Sequence, residues 1–141
     1  MESIFEIKFS YEREMKDKVI AAFSTKQGGN YSVFAYYWQC FAWAATIGNL
    51  KCEPMPLTGA IADRPFNLNT MINNHGEKDA KALLCMCIAK AGTLDILKDP
   101  EAAINQINEY ANAGFHYILN MMEETPVNND LEWVKREIFN R

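Results

Sequence analysis

Two histidines, His75 and His116, and four cysteines, Cys40, Cys52, Cys85 and Cys87, are the side chains best suited to nucleophilic or metal chemistry. A thiol beside an imidazole can form a nucleophile–base pair, but no spacing in the sequence sets either histidine against a thiol. Cys40 falls in an aromatic-rich apolar run, and Cys85 and Cys87 fall in LLCMCIA. Such positions suit small buried hydrophobes in a reducing compartment. The step of two from Cys85 to Cys87 puts them on different faces of a helix, whereas a zinc knuckle uses CxxC. Glu123, Glu124 and Glu132 could supply paired carboxylates, yet clusters of this kind serve solubility. HExxH, GxSxG, P-loop and dinucleotide fingerprints are absent, and Gly28-Gly29 lacks the flanking strand and spacing of a phosphate loop. The residues therefore point to no catalytic residue, no metal site and no cofactor, and an isolated helical histidine such as His116 reads as a partner for a neighbouring polar group.

Charge narrows the binding classes. The net charge is −4, and it divides as +1 over residues 1–51 (6 basic, 5 acidic), 0 over 52–98 and −5 over 99–141 (3 basic, 8 acidic). Counterion-driven DNA binding needs a concentrated basic surface, so a nucleic-acid contact would have to use the first hundred residues. Arg13, Lys16 and Lys18 are interleaved with Glu12, Glu14 and Asp17, which cancels most of their field. The remaining candidates for a binding surface are Lys26, Arg64 and the nearby amides Asn67 and Asn69.

The elements that must position these residues are helical. Tyr31 to Ile47 carries seven of the seventeen aromatic residues and no formal charge, so it reads as a helix buried nearly all round and ended by Gly48. Its 17 residues lie at the lower limit of a membrane span, but Ser32, Gln39 and Thr46 interrupt it and basic flanks are lacking. An interior helix is the better reading, with no membrane contact and a cytoplasmic location. No signal peptide is apparent at the N-terminus. Tyr11–Phe23 reads as an amphipathic helix capped by Ser10, with Met15, Val19, Ala22 and Phe23 inward and Glu12, Arg13, Lys16 and Asp17 in water. Asn49–Asn69 is a Pro-bearing loop in which Phe66 is a pin and Asp63–Arg64 a surface pair. A helical turn over 69–74, a helix Glu77–Ala91 capped by Gly92, a turn over 93–98 and a long helix opened by Asp99-Pro100 follow. Thr125-Pro126 stops that helix near Glu124, and Asp130 caps a last one, Leu131–Phe139.

The first ten residues are an arm. Ile4, Phe5, Ile7 and Phe9 alternate with Glu6 and Lys8, a pattern for a strand or an extended segment. A lone strand could pair with a second copy in a homodimer, or the stretch could be a first helical turn. The whole is a single all-α domain over 1–141, a compact orthogonal bundle around one buried aromatic-rich helix, with 1–10 as an arm.

Several segments in order resemble a known family: FSTK at 23–26, AWAATIG at 42–48, PMPL at 54–57, RPF at 64–66, GTLDIL at 92–97 and EYANAGF at 109–115. The chain is similar, over roughly residues 12–120, to small accessory proteins found with bacterial DNA phosphorothioation (Dnd-type) modification and restriction systems. Here the arm and central helix are more apolar and aromatic, and the C-terminal helix over 127–141 is outside the likeness. The resemblance implies a non-catalytic component of a DNA-modification or anti-phage apparatus, an adaptor acting through a protein partner. Direct DNA binding through Lys26 and Arg64 is the alternative. Within EYANAG, Asn112 is placed to hydrogen-bond the Pro-rich loop. Ala111 and Gly114 allow a close helix crossing, and Tyr110 could lay its ring over the gap at Gly114.

Overall fold

Glycine decides how the two central helices meet. A computed structural model of the chain describes residues 3–24, 33–63, 65–127 and 130–139. Helix α1 is assembled from three consecutive pieces, Arg13–Met15, a π-helical Lys16–Ile20 and Ala21–Phe23. Helix α2 is Tyr37–Lys51, α3 is Leu68–Asn73, α4 is Glu77–Ala91 and α5 is Pro100–Glu124. A 3-10 turn, Leu94–Lys98, links α4 to α5. Helix α6 starts as Asp130–Trp133 and continues as the π-helical Val134–Phe139.

The largest packing contact is α2 against α5. A Cβ on Gly48 would overlap the carbonyl of Tyr110, and one on Gly114 would overlap the carbonyl of Ala44. The two glycines thus let backbone touch backbone. Gly48 does not end the central helix: α2 runs on to Lys51, and the Cys52 amide donates to the Gly48 carbonyl at 3.0 Å. The gap at Gly114 is filled by the Ala44 backbone and not by the Tyr110 ring. At its other end α2 begins at Tyr37, later than the apolar run suggests. Gln39 reaches back and its Oε1 accepts the amides of Ala35 and Tyr36 at 2.9 and 3.0 Å, which closes the first turn there. Residues 33–36 lie outside the helix, and Tyr31 and Ser32 fall outside the described residues.

Two aromatic clusters fill the core on either side of α2. Phe9, Tyr11, Phe41, Phe66 and Phe115 form one, with ring centroids 4.9 to 6.2 Å apart. Phe23, Phe34, Trp43 and Trp133 form the other, at 5.3 to 5.7 Å. Each fully buried ring contributes about 1.5–3 kcal/mol of transfer free energy, and of the nine all but Phe34 and Trp43 are buried. Trp133 brings α6 into the core, and its indole N–H donates to the Thr125 carbonyl at 2.8 Å.

The arm pairs with the chain's own loop. Glu6 turns back on Ser3, the Phe9 amide donates to the Phe66 carbonyl at 2.7 Å, and the Asn69 amide donates to Phe5. No strand forms among the described residues; isolated bridges join Glu12 to Ile61 and Ser24 to Phe34. The expected ends hold at α4 and α5, while α3 lies one residue earlier than the 69–74 turn because Asn67 caps it: Gly92 is left-handed (φ 76°), and Asp99 Oδ1 accepts the Ala102 amide with Pro100 in the first turn. Among the described residues, no helix is long and apolar enough to cross a membrane.

Candidate functional site

Helix α5 carries polar side chains at 108, 112 and 116, one helical turn apart and therefore on one stripe. Each reaches a different part of the irregular chain. Asn108 Oδ1 accepts the Ser10 amide at 3.0 Å. Asn112 Nδ2 donates to the carbonyls of Met55 and Pro56, both at 3.2 Å, as the sequence suggests. His116 Nε2 lies 2.8 Å from Glu12 Oε1.

Glu12 is the residue that sequence reading misplaces. It sits at the N-cap of α1, in extended conformation, and is only 4% exposed. Ser10 therefore does not cap this helix, and Glu12 does not face water. Its other oxygen, Oε2, accepts the amides of Thr58 and Gly59 at 2.8 and 3.1 Å. Burial pushes the Glu12 carboxyl up. The Thr58 amide, the His116 hydrogen bond and the Gly59 amide together outweigh burial and hold it below the ordinary glutamate value. A buried anion with several donors is a stable arrangement because charge-assisted bonds replace its lost hydration. An ionised Glu12 can only accept, so Nε2 carries the hydrogen of this bond.

His116 stands between two clefts. One, of about 530 Å³, is lined by Glu12, Arg13, Glu14, Asp17, Lys18 and Thr58–Ala60. The other, of about 410 Å³, lies over Cys52–Pro56, Ala113, Tyr117 and Asn120. Cys52 and His116 share the second cleft, but the thiol points to the Ala113 carbonyl at 3.8 Å. Burial raises the Cys52 thiol, with Lys51 acting weakly against it. Burial likewise raises Cys87 and, far more, Cys40. Among the described residues, no group of three His, Cys, Asp or Glu side chains could hold a metal ion.

Of the residues picked from sequence as a binding surface, Asn67 and Asn69 do not line these clefts. Lys26 and Arg64 lie outside the described residues. Asn67 is the N-cap of α3: its Oδ1 accepts the Thr70 amide at 2.9 Å, and its Nδ2 donates to the Glu6 carbonyl. Asn69 is exposed, and its amide holds Phe5 of the arm. Asp63 pairs with Lys16 at 3.1 Å, across 47 residues. His75 is in the turn before α4, in a left-handed conformation at φ 67°. The signal that could have found the site was the 108–112–116 stripe, a polar row directly beside the apolar row of Ile107, Ala111 and Phe115.

A family model described as DNA sulphur modification system-associated protein 4 matches residues 12–137. That span takes in most of α6, which the segment-by-segment likeness over 12–120 leaves out. No curated protein and no solved structure matches the chain.

Proposed function

This chain belongs to the DNA sulphur modification system-associated protein 4 family, and on that premise we propose that it is a non-catalytic, cytoplasmic accessory protein. It acts as an adaptor, through contacts with another protein of the modification or defence apparatus. The observation that carries this reading is the family membership itself, which ties nearly the whole chain to such a system. One feature of the site favours a non-catalytic role: the Cys52 thiol, which shares a cleft with His116, is kept protonated by burial and points to the Ala113 carbonyl. The acidic balance of the chain favours a protein over DNA as the direct partner.

The test is co-expression of the tagged chain with the proteins of the modification system, followed by nuclease treatment and affinity purification. A stoichiometric complex that survives nuclease is the expected result. Retention only while DNA is intact would instead favour direct DNA binding through Lys26 and Arg64.

A further inference from the structure

Helix α4 turns an uncharged surface to water along half its length. Between Lys81 and Lys90 its side chains are ALLCMCIA, without a charge or an amide. Of these Leu83 and Cys87 are buried, and Leu84 and Met86 lean on the core from the flanks. Ala82, Cys85 and Ala89 are exposed, and Ile88 is half-buried. A surface helix ordinarily solvates its outer face with polar residues, so this one is built to be covered.

The order of side chains along that face says by what. At 3.6 residues per turn, Lys78, Lys81, Ala82, Cys85, Ile88, Ala89 and Gly92 share the outward side. Lys78 and Gly92 each stand seven residues from Cys85, Lys81 and Ala89 four, and Ala82 and Ile88 three. A two-fold axis through Cys85 therefore sets a large side chain against a small one at every step: Lys78 on Gly92, Lys81 on Ala89, Ile88 on Ala82. A Cβ built on Gly92 meets nothing within 4 Å, so that end has open space for a lysine. Charge agrees with size. Lys81 is already neutralised by Glu77 at 3.1 Å, whereas Lys78 has no ion pair among the described residues. The axis carries Lys78 to the negative, C-terminal end of the opposing helix, and antiparallel helix dipoles attract.

We propose that α4 is a self-association face, through which two copies of this chain pair as antiparallel helices about a two-fold axis at Cys85. Such a contact is isologous, so one face serves both copies. A foreign helix would need the same sequence of large and small side chains in reverse, which a second copy has by symmetry. Small residues at the crossing let the helix axes approach to about 8 Å. The two Cys85 Cα atoms then fall within the roughly 4.4–6.8 Å that a disulfide spans. The proposal is independent of the adaptor reading. It also differs from pairing through the N-terminal arm, whose backbone is bonded to Phe66 and Asn69 of the same chain.

Sedimentation velocity of the full chain, over a range of micromolar concentrations, should show a reversible dimer. Oxidation of that dimer by copper phenanthroline, which takes two thiols to one disulfide, should link Cys85 to Cys85, the exposed cysteine of the four. C85S should dimerise as wild type does and form no such link. C85E sets two carboxylates face to face across the axis. It changes an exposed position, so the circular dichroism spectrum should stay that of wild type while the dissociation constant of the dimer rises at least about tenfold. L50E, at an exposed leucine on α2, should dimerise normally. A wild-type chain that stays monomeric overturns the proposal. A dimer that C85E leaves unchanged, or that L50E abolishes, overturns it as well, because the contact then lies on another face. Either failure leaves the adaptor reading standing, since that reading is tested by the nuclease-resistant complex.

Discussion

Replacing Gly114 by alanine sets two effects of opposite sign against each other. Gly114 lies within α5, where helix propensity alone favours alanine by about 1 kcal/mol. The structure predicts the reverse. The new Cβ would overlap the Ala44 carbonyl oxygen and carbon and come within 3.0 Å of the Gly48 amide nitrogen. All three are backbone atoms of α2, so no flexible side chain can swing aside and the two helices must separate. Overpacking of a core costs about 1–3 kcal/mol, and a clash that moves a whole helix belongs at or above the top of that range. Subtracting the propensity gain leaves a net loss of about 2 kcal/mol or more. For a chain of this size that lowers the melting temperature by about 6–10 °C. Urea denaturation monitored by circular dichroism, checked by calorimetry, measures it directly. A G114A variant as stable as the parent, or more so, would refute the close α2–α5 crossing.

Other perturbations test other parts of the fold. Glu12→Gln should cost about 1.5–3 kcal/mol at neutral pH, because hydrogen bonds to an ionised buried group are lost. The Glu12 carboxyl is held below its ordinary value, so its stabilisation is complete above the unfolded carboxylate range and disappears as pH falls through the folded value. The variant should therefore flatten the acid limb of the stability–pH curve, which pH-dependent urea melts will read. Trp133→Ala should destabilise by about 3–5 kcal/mol, since the ring is fully buried against Phe23 and bonds Thr125. A loss near zero would detach α6 from the core. His75→Gly should raise stability by up to about 1 kcal/mol, because a left-handed backbone disfavours any side chain with a Cβ; an unchanged denaturation midpoint would count against that strain.

Most of the architecture was legible in the chain itself. The apolar periodicity of 77–91 and 100–124, with Gly92, Asp99-Pro100 and Thr125-Pro126 as stops, describes α4 and α5 because those signals are local. The aromatic run around Phe41 announced an interior helix for the same reason. Its limits did not follow. The start at Tyr37 depends on Gln39 turning back on the preceding amides, and the continuation past Gly48 depends on a neighbouring helix 60 or more residues away. Asn112 was readable as a loop anchor, since an amide within a helix beside alanine and glycine has few other uses.

Glu12 and His116 show where local reading stops. Along the chain, Glu12 is one charge among several ahead of α1, and His116 is a lone imidazole in a long helix. Their meeting across 104 residues is a product of the α1–α5 packing, which also brings up the amides of Thr58 and Gly59. Periodicity and capping act within a few residues and so determined the helices. Which carboxylate is buried, which loop is clamped and which apolar side chains stay outside were decided by long-range packing, because desolvation depends on neighbours that only the folded chain supplies.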